Sequence, residues 1–219
     1  MDAILLVFGG YLFGSIPTAY IAAQTTKHID LRRYGSGTVS GSMVYEHVSH
    51  WMIVPVGLFD IAKGAFPTWL GLEIGTGEMI ASLAGLAAVI GHNWPVYLKF
   101  TGGRGISPFM GLLLVMFPWG FPWMLAFLGI GFALGDSAPW ALASMVTMPL
   151  LMAWLRAPSA MYLAVAIMVL LTIIKRLEAN RTPLPSSHSE KWKVLLRRLF
   201  LDRDIVNHKD WIRRKPNLV

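Results

Sequence analysis

Cysteine is absent from this chain, so it can hold no disulfide framework, no thiolate zinc site and no cysteine nucleophile. Charge is scarce too: 14% of the 219 residues are Asp, Glu, Lys or Arg, whereas 55% are hydrophobic. A soluble domain of this length needs far more polar surface to cover one core, so that class is excluded. The chain requires an apolar solvent, which means lipid. Also missing is a basic stretch ahead of the first apolar run. Asp2 stands there instead, and the run is too long for a signal-peptide core, so residues 1–24 are expected to be a retained helix.

What is present is a series of apolar runs. A hydrocarbon core about 30 Å thick takes roughly 20 residues of helix. Asp2–Gln24, Trp51–Leu72 and Met79–Leu98 meet that length. Between Ile106 and Leu134 the run is interrupted by Pro118-Trp119-Gly120 and Pro122, which predicts two short or tilted helices. Ala138–Leu155 and Ser159–Ile174 complete the set, separated by Arg156-Ala157-Pro158. The fold class expected is an all-α membrane protein with about seven transmembrane helices. Residues 1–175 form the membrane domain, and 176–219 a basic cytosolic tail.

The charge is uneven. Residues 1–174 carry seven basic and seven acidic side chains, while the remainder carries twelve and five, so the whole net charge of +7 lies in the tail. This favours a partner such as an anionic membrane surface and argues against nucleic acid. Lys27, Arg32 and Arg33 mark one loop, Lys99 and Arg104 another, and Glu73 and Glu78 an acidic turn. By the positive-inside rule the basic loops and the tail are cytosolic and the N-terminus is outside. Arg156 is the exception, at a helix end from which it can snorkel. In the tail, Trp192, Leu195, Leu196 and Leu199 recur at helical spacing, with Lys191, Arg197 and Arg198 elsewhere on the wheel. That pattern predicts an interfacial helix over 190–201.

Polar residues inside apolar runs carry the chemistry. Asp60 and Lys63 are three apart on one helical face and can neutralise each other, as a structural ion pair or as a fixed cation facing an anion. The run Lys99-Phe100-Thr101-Gly102-Gly103-Arg104-Gly105-Ile106-Ser107 combines bare backbone amides, two cations and a following helix N-terminus, all of which favour phosphate. It is not a Walker A loop, because no Gly-Lys-Ser/Thr follows at the required spacing. Arg33, Gly35, Ser36 and Gly37 form a second, weaker oxyanion cradle, in which a solvated loop is nearly as good a reading. His92, near a helix end, reads more readily as a hydrogen-bonded structural residue than as a base. His47 and His50 lack a third ligand, so no metal site is assigned. Two phosphate cradles beside hydrocarbon suggest an enzyme that joins a phosphorylated substrate to a lipid tail.

Five segments in order now carry a resemblance: Gly14-Ser15-Ile16-Pro17-Thr18-Ala19-Tyr20, Gly35-Ser36-Gly37, Asp60-x-x-Lys63-Gly64-x-x-Pro67, Gly91-His92-x-x-Pro95, and Lys99-Phe100-x-Gly102-Gly103-Arg104-Gly105. Over residues 5–175 the chain resembles the PlsY family of bacterial acyl-phosphate:glycerol-3-phosphate acyltransferases. The resemblance implies a seven-helix enzyme of the bacterial inner membrane. It would move a fatty acyl group from acyl phosphate to glycerol 3-phosphate, giving lysophosphatidic acid, with no cofactor. It also implies catalytic roles for Ser36 and Lys63. Phosphate would be held by Arg33, Gly35, Gly37, Lys99, Gly102, Gly103, Arg104, Gly105 and Ser107, with Asp60, His92 and Asn180 in support. The acyl chain would lie in an apolar groove between helices. No protein partner is indicated.

The chain departs from the family pattern at three places. After Gly37 the family usually continues Asn-Pro-Gly-Ala-Thr-Asn with an arginine soon after; here the run is Thr38-Val39-Ser40-Gly41-Ser42-Met43, with Glu46 at the arginine's place. The family's His-Arg-x-Asn-Ile segment is replaced by Lys175-Arg176-Leu177-Glu178-Ala179-Asn180-Arg181. The tail beyond Pro183 is longer than the family ordinarily has. These departures leave open a catalytically altered or inactive paralogue that binds phospholipid precursors or regulates lipid synthesis.

Overall fold

The computed structural model describes residues 3–215, so Asp2, taken above as the start of the first span, lies outside the described residues, as do the last four residues of the tail. Every regular element among them is helical. In chain order these are α1 (Ala3–Gly14), α2 (Thr18–Lys27), α3 (Gly41–His47), α4 (Ile53–Glu73), α5 (Glu78–Asn93), α6 (Ile106–Met116), α7 (Gly120–Ala133), α8 (Ser137–Trp154), α9 (Ser159–Glu178), α10 (His188–Leu201) and α11 (His208–Ile212). Ala3–Lys27, Glu78–Leu98 and Ser159–Glu178 are long and apolar enough to cross a membrane, and α6 and α7 are shorter apolar helices.

The exterior confirms the solvent. Ile4, Trp51, Leu58, Phe132, Leu150 and Trp154 lie more than 60% exposed, which is inverted for a water-soluble protein and normal for a lipid-facing wall. Inside, α5 to α9 share a core rich in methionine, with Met124, Met145, Met148, Met152, Met161 and Met168 fully or almost fully buried. Methionine's flexible thioether fills the irregular gaps between helices that cross at different tilts.

Backbone-to-backbone contact holds the other half together. Hydrocarbon offers no hydrophobic drive for one helix to prefer another over lipid, so close packing of small residues supplies the attraction. Gly10 and Gly14 of α1 lie one turn apart on one face, where a Cβ would collide with the carbonyls of Ala84 and Ala88 on α5. Gly91 returns the fit beneath the Tyr11 carbonyl. Between α4 and α6 the same exchange pairs Gly64 with the Pro108 carbonyl and Gly111 with the Ile61 carbonyl. These seams bring α4 and α5 side by side, and with them the residues of the site.

Two expectations are revised. The first span is not one straight helix: it breaks at Ser15–Pro17 into α1 and α2, because Pro17 has no N–H to continue the ladder. The tail helix forms as α10, but with a different face inward from the one expected. Arg198 is buried, donating to the carbonyls of Leu177 and Thr182 and to the Asp204 carboxylate. Leu195 and Leu199 are half-buried, and the outward stripe is Trp192, Leu196 and Phe200. The free carbonyls at the end of α9 attract the guanidinium more strongly than headgroups do.

The α4–α6 seam can be tested in detergent. Gly111→Leu must push the Ile61 carbonyl aside and is expected to cost about 1–3 kcal/mol, read as a lower melting temperature. Gly57→Leu meets nothing within 4 Å and is expected to melt with the wild type. Equal melting of the two variants would contradict the seam.

Candidate active site

The break in the first span sets the site. Ser15 closes the end of α1 by donating both its N–H (2.9 Å) and its Oγ–H (2.8 Å) to the Tyr11 carbonyl. The chain then turns at Ile16–Pro17 and starts α2 with Thr18 pointing at α4. Thr18 Oγ1 donates to Asp60 Oδ1 at 2.5 Å and accepts from Lys63 Nζ at 3.0 Å, while Lys63 Nζ also donates to Asp60 Oδ1 at 2.5 Å. Asp60 and Lys63 are 2% and 1% exposed. Burying either charge alone in hydrocarbon would be prohibitive, and pairing with a shared hydroxyl makes it tolerable. Pro67, one turn on, has no N–H to offer the Lys63 carbonyl, so the ladder is interrupted just where the ammonium sits.

His92 comes from α5 and lies with Nδ1 3.8 Å from Asp60 Oδ1. Its other ring nitrogen faces Gly103, where a Cβ would run into the imidazole and the Val39 carbonyl. Gly103 is glycine for that reason. One small cleft gathers Ser15, Thr18, Val39, Lys63, His92 and Gly102. The lysine of the third segment and the glycine loop of the fifth therefore meet in one place.

The loop amides divide into two groups. Gly35, Gly37 and Gly103 give their N–H groups to the carbonyls of Arg214, Tyr34 and His92. The N–H groups of Gly102, Arg104 and Gly105 meet no acceptor among the described residues, and Gly105 holds φ at 74° to start α6. The loop amides left open among the described residues are those of Gly102, Arg104 and Gly105, because the other three hold the loops in shape. Asn93, fully buried beside Gly105, has both side-chain polar atoms without a partner among the described residues.

Asn180 joins the two loops. Held in a left-handed conformation (φ 52°), it donates from Nδ2 to the carbonyls of Gly37 (3.0 Å) and Gly102 (3.4 Å), and Val39 N–H donates to Gly102 O at 3.2 Å. Ser36 lies in a row of hydroxyls, Oγ to Thr38 at 2.7 Å, then Ser40 and Ser42 at 3.1 Å each. Ser36 is beside the cleft rather than in its lining. Arg33 and Lys99 are exposed and make no side-chain hydrogen bond among the described residues, whereas Arg32 is taken by Asp30 and holds that carboxyl below its ordinary range. Ser107 is half-buried in the first turn of α6. Arg104 points toward the tail, its Nε shared between both Asp202 oxygens at 2.8 Å, with Nη1 buried and unpartnered among the described residues. Behind Asn180, Lys175 and Trp94 Nε1 both donate to Glu178 Oε2, at 3.1 and 2.9 Å.

Thr18 and Asn93 were not among the residues expected. Thr18 could have been found, since it and Ser15 are hydroxyl side chains flanking Pro17 inside an otherwise apolar span. Asn93 was hidden beside His92, which drew attention first.

Beyond the cleft, Ala3, Ile4, Val7, Phe8, Tyr11, Ile80, Ala87 and Ile90 line an apolar groove along α1 and α5, open to the side. Tyr11 of the groove and Ser15 of the cleft lie one helical turn apart and are joined by the hydrogen bond above. A buried cation and free amides beside a greasy groove define a membrane enzyme for amphiphilic, phosphorylated molecules. The comparisons name the class. The family profile described as Glycerol-3-phosphate acyltransferase matches residues 4–184. Glycerol-3-phosphate acyltransferase 4 of Dehalococcoides mccartyi (strain CBDB1) is 34% identical over 224 residues, covering 96% of this chain and 93% of that protein. The Synechococcus sp. (strain CC9902) enzyme is 35% identical over 184 residues, covering 82% and 90%. The crystal structure of PlsY (YgiH), an integral membrane glycerol 3-phosphate acyltransferase in its glycerol 3-phosphate form, superposes with a TM-score of 0.73 at 27% identity, over 80% of this chain and 88% of that one. Its lysophosphatidic acid form gives 0.71 at 26%. This chain belongs to the glycerol-3-phosphate acyltransferase family.

Thr18→Val removes the hydroxyl between the buried carboxylate and ammonium. A hydrogen bond to a charged group is worth about 1.5–3 kcal/mol, so turnover is expected to fall roughly 10- to 100-fold. Lysophosphatidic acid production by purified protein checks it, and wild-type turnover in the variant would detach Thr18 from the site.

Proposed function

We propose that this protein transfers a fatty acyl group from acyl phosphate to the 1-hydroxyl of glycerol 3-phosphate, producing lysophosphatidic acid and inorganic phosphate. The observation that carries it is the placement of the Lys63–Asp60–Thr18 network against the Gly102–Gly105 loop at the mouth of the α1–α5 groove. The acyl chain occupies the groove, and the two phosphates sit at the cleft and loops. The acceptor hydroxyl oxygen attacks the acyl carbonyl carbon, the bond from that carbon to the phosphate oxygen breaks, and phosphate leaves with the electron pair. A phosphate oxygen takes the hydroxyl proton, so no dedicated base is needed. Catalysis then consists of positioning two anions and stabilising the charge that develops on the leaving phosphate.

Lys63, held by Asp60, neutralises a phosphate. Ser36 hydrogen-bonds a phosphate or the attacking hydroxyl. Arg33, Lys99 and Arg104 supply further cations at the loops, and the amides of 102, 104 and 105, with Ser107 on the first turn of α6, supply donors. Gly35, Gly37 and Gly103 shape the loops, with His92 and Asn180 bracing them. The frame is a seven-span protein of the bacterial inner membrane with the N-terminus outside. The basic loops and the tail lie on the cytosolic face, where the Trp192–Leu196–Phe200 stripe of α10 rests on anionic headgroups among Lys191 and Lys193. Support for the common face comes from the contacts that tie loops 33–40, 99–105 and the tail together.

The departure at position 46 does not favour a non-catalytic paralogue. Glu46 is paired with Arg213 at 2.8 Å, so the anion beside the first loop is neutralised from the tail.

Purified protein given acyl phosphate and glycerol 3-phosphate is expected to release lysophosphatidic acid. Lys63→Ala is expected to lose about 10²-fold or more, the scale of removing one preorganised charge stabiliser. A fully active Lys63→Ala variant would end the site assignment, and an inert wild type would end the acyltransferase reading.

A further inference from the structure

The tail beyond the family profile, which ends at residue 184, does not hang free. The Dehalococcoides relative aligns over 96% of this chain and so includes most of it. The tail is bolted to the bundle by two buried arginines, 2% and 6% exposed: Arg198, itself paired with Asp204, donates to the Leu177 carbonyl of α9 at 3.1 Å, and Arg203 pairs with Asp136 ahead of α8 at 2.6 Å. Trp211 is 6% exposed, and Ile212 packs against the cluster under α2 and α3.

From this anchorage the tail reaches both signature loops. Asp202, in the left-handed conformation that ends α10, takes Nε of Arg104 between its two oxygens. A carboxylate placed there fixes the guanidinium plane and leaves the Nη edge for an anion, and Nη1 is buried without a partner among the described residues. On the first loop, Gly35 N–H donates to Arg214 O and Arg214 Nη2 donates back to Gly35 O, each at 2.8 Å. Arg214 is itself stacked 3.7 Å above the Trp211 ring. His47 Nε2 lies 2.8 Å from Ile212 O. Gly35 holds φ at 48°, and a Cβ there would collide with the Ile212 carbonyl, so this loop glycine is fitted to the tail backbone.

We propose that the C-terminal segment is a working part of the catalytic site: Asp202 is a positioning residue for Arg104, Arg214 is a positioning residue for the Gly35–Ser36 loop, and together they set how tightly a phosphate monoester is held. The inference rests on the acyltransferase reading. A brake would shield the cations from substrate. Here Asp202 grips the inner edge of Arg104, and the fit of Gly35 to Ile212 is a permanent closure.

The test uses full-length protein and kinetics in both substrates. Asp202→Ala and Arg214→Ala are expected to raise KM for glycerol 3-phosphate or acyl phosphate about tenfold, with kcat changed much less, because phosphate holding rather than the bond-breaking step is disturbed. Asp202→Glu and Arg214→Lys, which keep the charges, are expected to recover most of it. The double variant Asp202→Ala/Arg214→Ala should show the larger, combined defect. Faster turnover in it or in Asp202→Ala would overturn the proposal in favour of a brake. A lowered melting temperature with unchanged KM would overturn it in favour of a purely structural tail. If the wild type itself makes no lysophosphatidic acid, the acyltransferase reading fails separately. The tail is then judged by inorganic phosphate raising the melting temperature of the wild type but not of Asp202→Ala, and equal protection would overturn it.

Discussion

The arrangement depends on one electrostatic constraint: a lysine and an aspartate, a helical turn apart, are buried against each other inside a wall of hydrocarbon. Neither could stay there alone. Each of the features around them follows from having to keep them. The first helix must break so that a hydroxyl can reach the pair, α4 must carry Pro67 so that its ladder opens, and α5 must bring His92 alongside. The glycine seams then become necessary, because only bare backbones let α1, α4, α5 and α6 approach closely enough to wall off the pair from lipid.

Much of this was written legibly in the sequence. Apolar runs of bilayer length located α4, α5, α8 and α9 within a few residues, and Pro118 and Pro122 announced the α6–α7 division, because span length and proline chemistry are local properties. Asp60 and Lys63 stood out by being charged where charge is costly. The broken first span was less legible: Ile16 and Ala19–Ala23 keep the run apolar, and Pro17 could have been read as a gentle kink. The face of α10 was misread because a hydrophobic wheel assumes that arginine prefers water, whereas Arg198 finds carbonyls and Asp204. Which amides are free was not readable at all. It depends on partners as distant as Arg214, 179 residues from Gly35.

The tail changes how the unusual first loop is understood. Read as a linear string, Glu46 is an anion intruding on a phosphate site. In three dimensions it answers Arg213, and Gly35 answers Ile212 and Arg214. Loop and tail form one unit, so a departure at one end of the chain is matched by residues at the other. Exposed pairs such as Arg213–Glu46 contribute little on their own. The closure at Gly35 and the buried arginines do the holding.

The sideways opening of the α1–α5 groove has a consequence for traffic. A molecule bearing one hydrocarbon chain and one phosphate never has to pass wholly through water or wholly through oil to reach the cleft or depart from it. It can arrive and leave along the leaflet, tail first in the groove and head at the rim. Departure by that route passes among neighbouring lipids, so the bilayer itself forms one wall of the path.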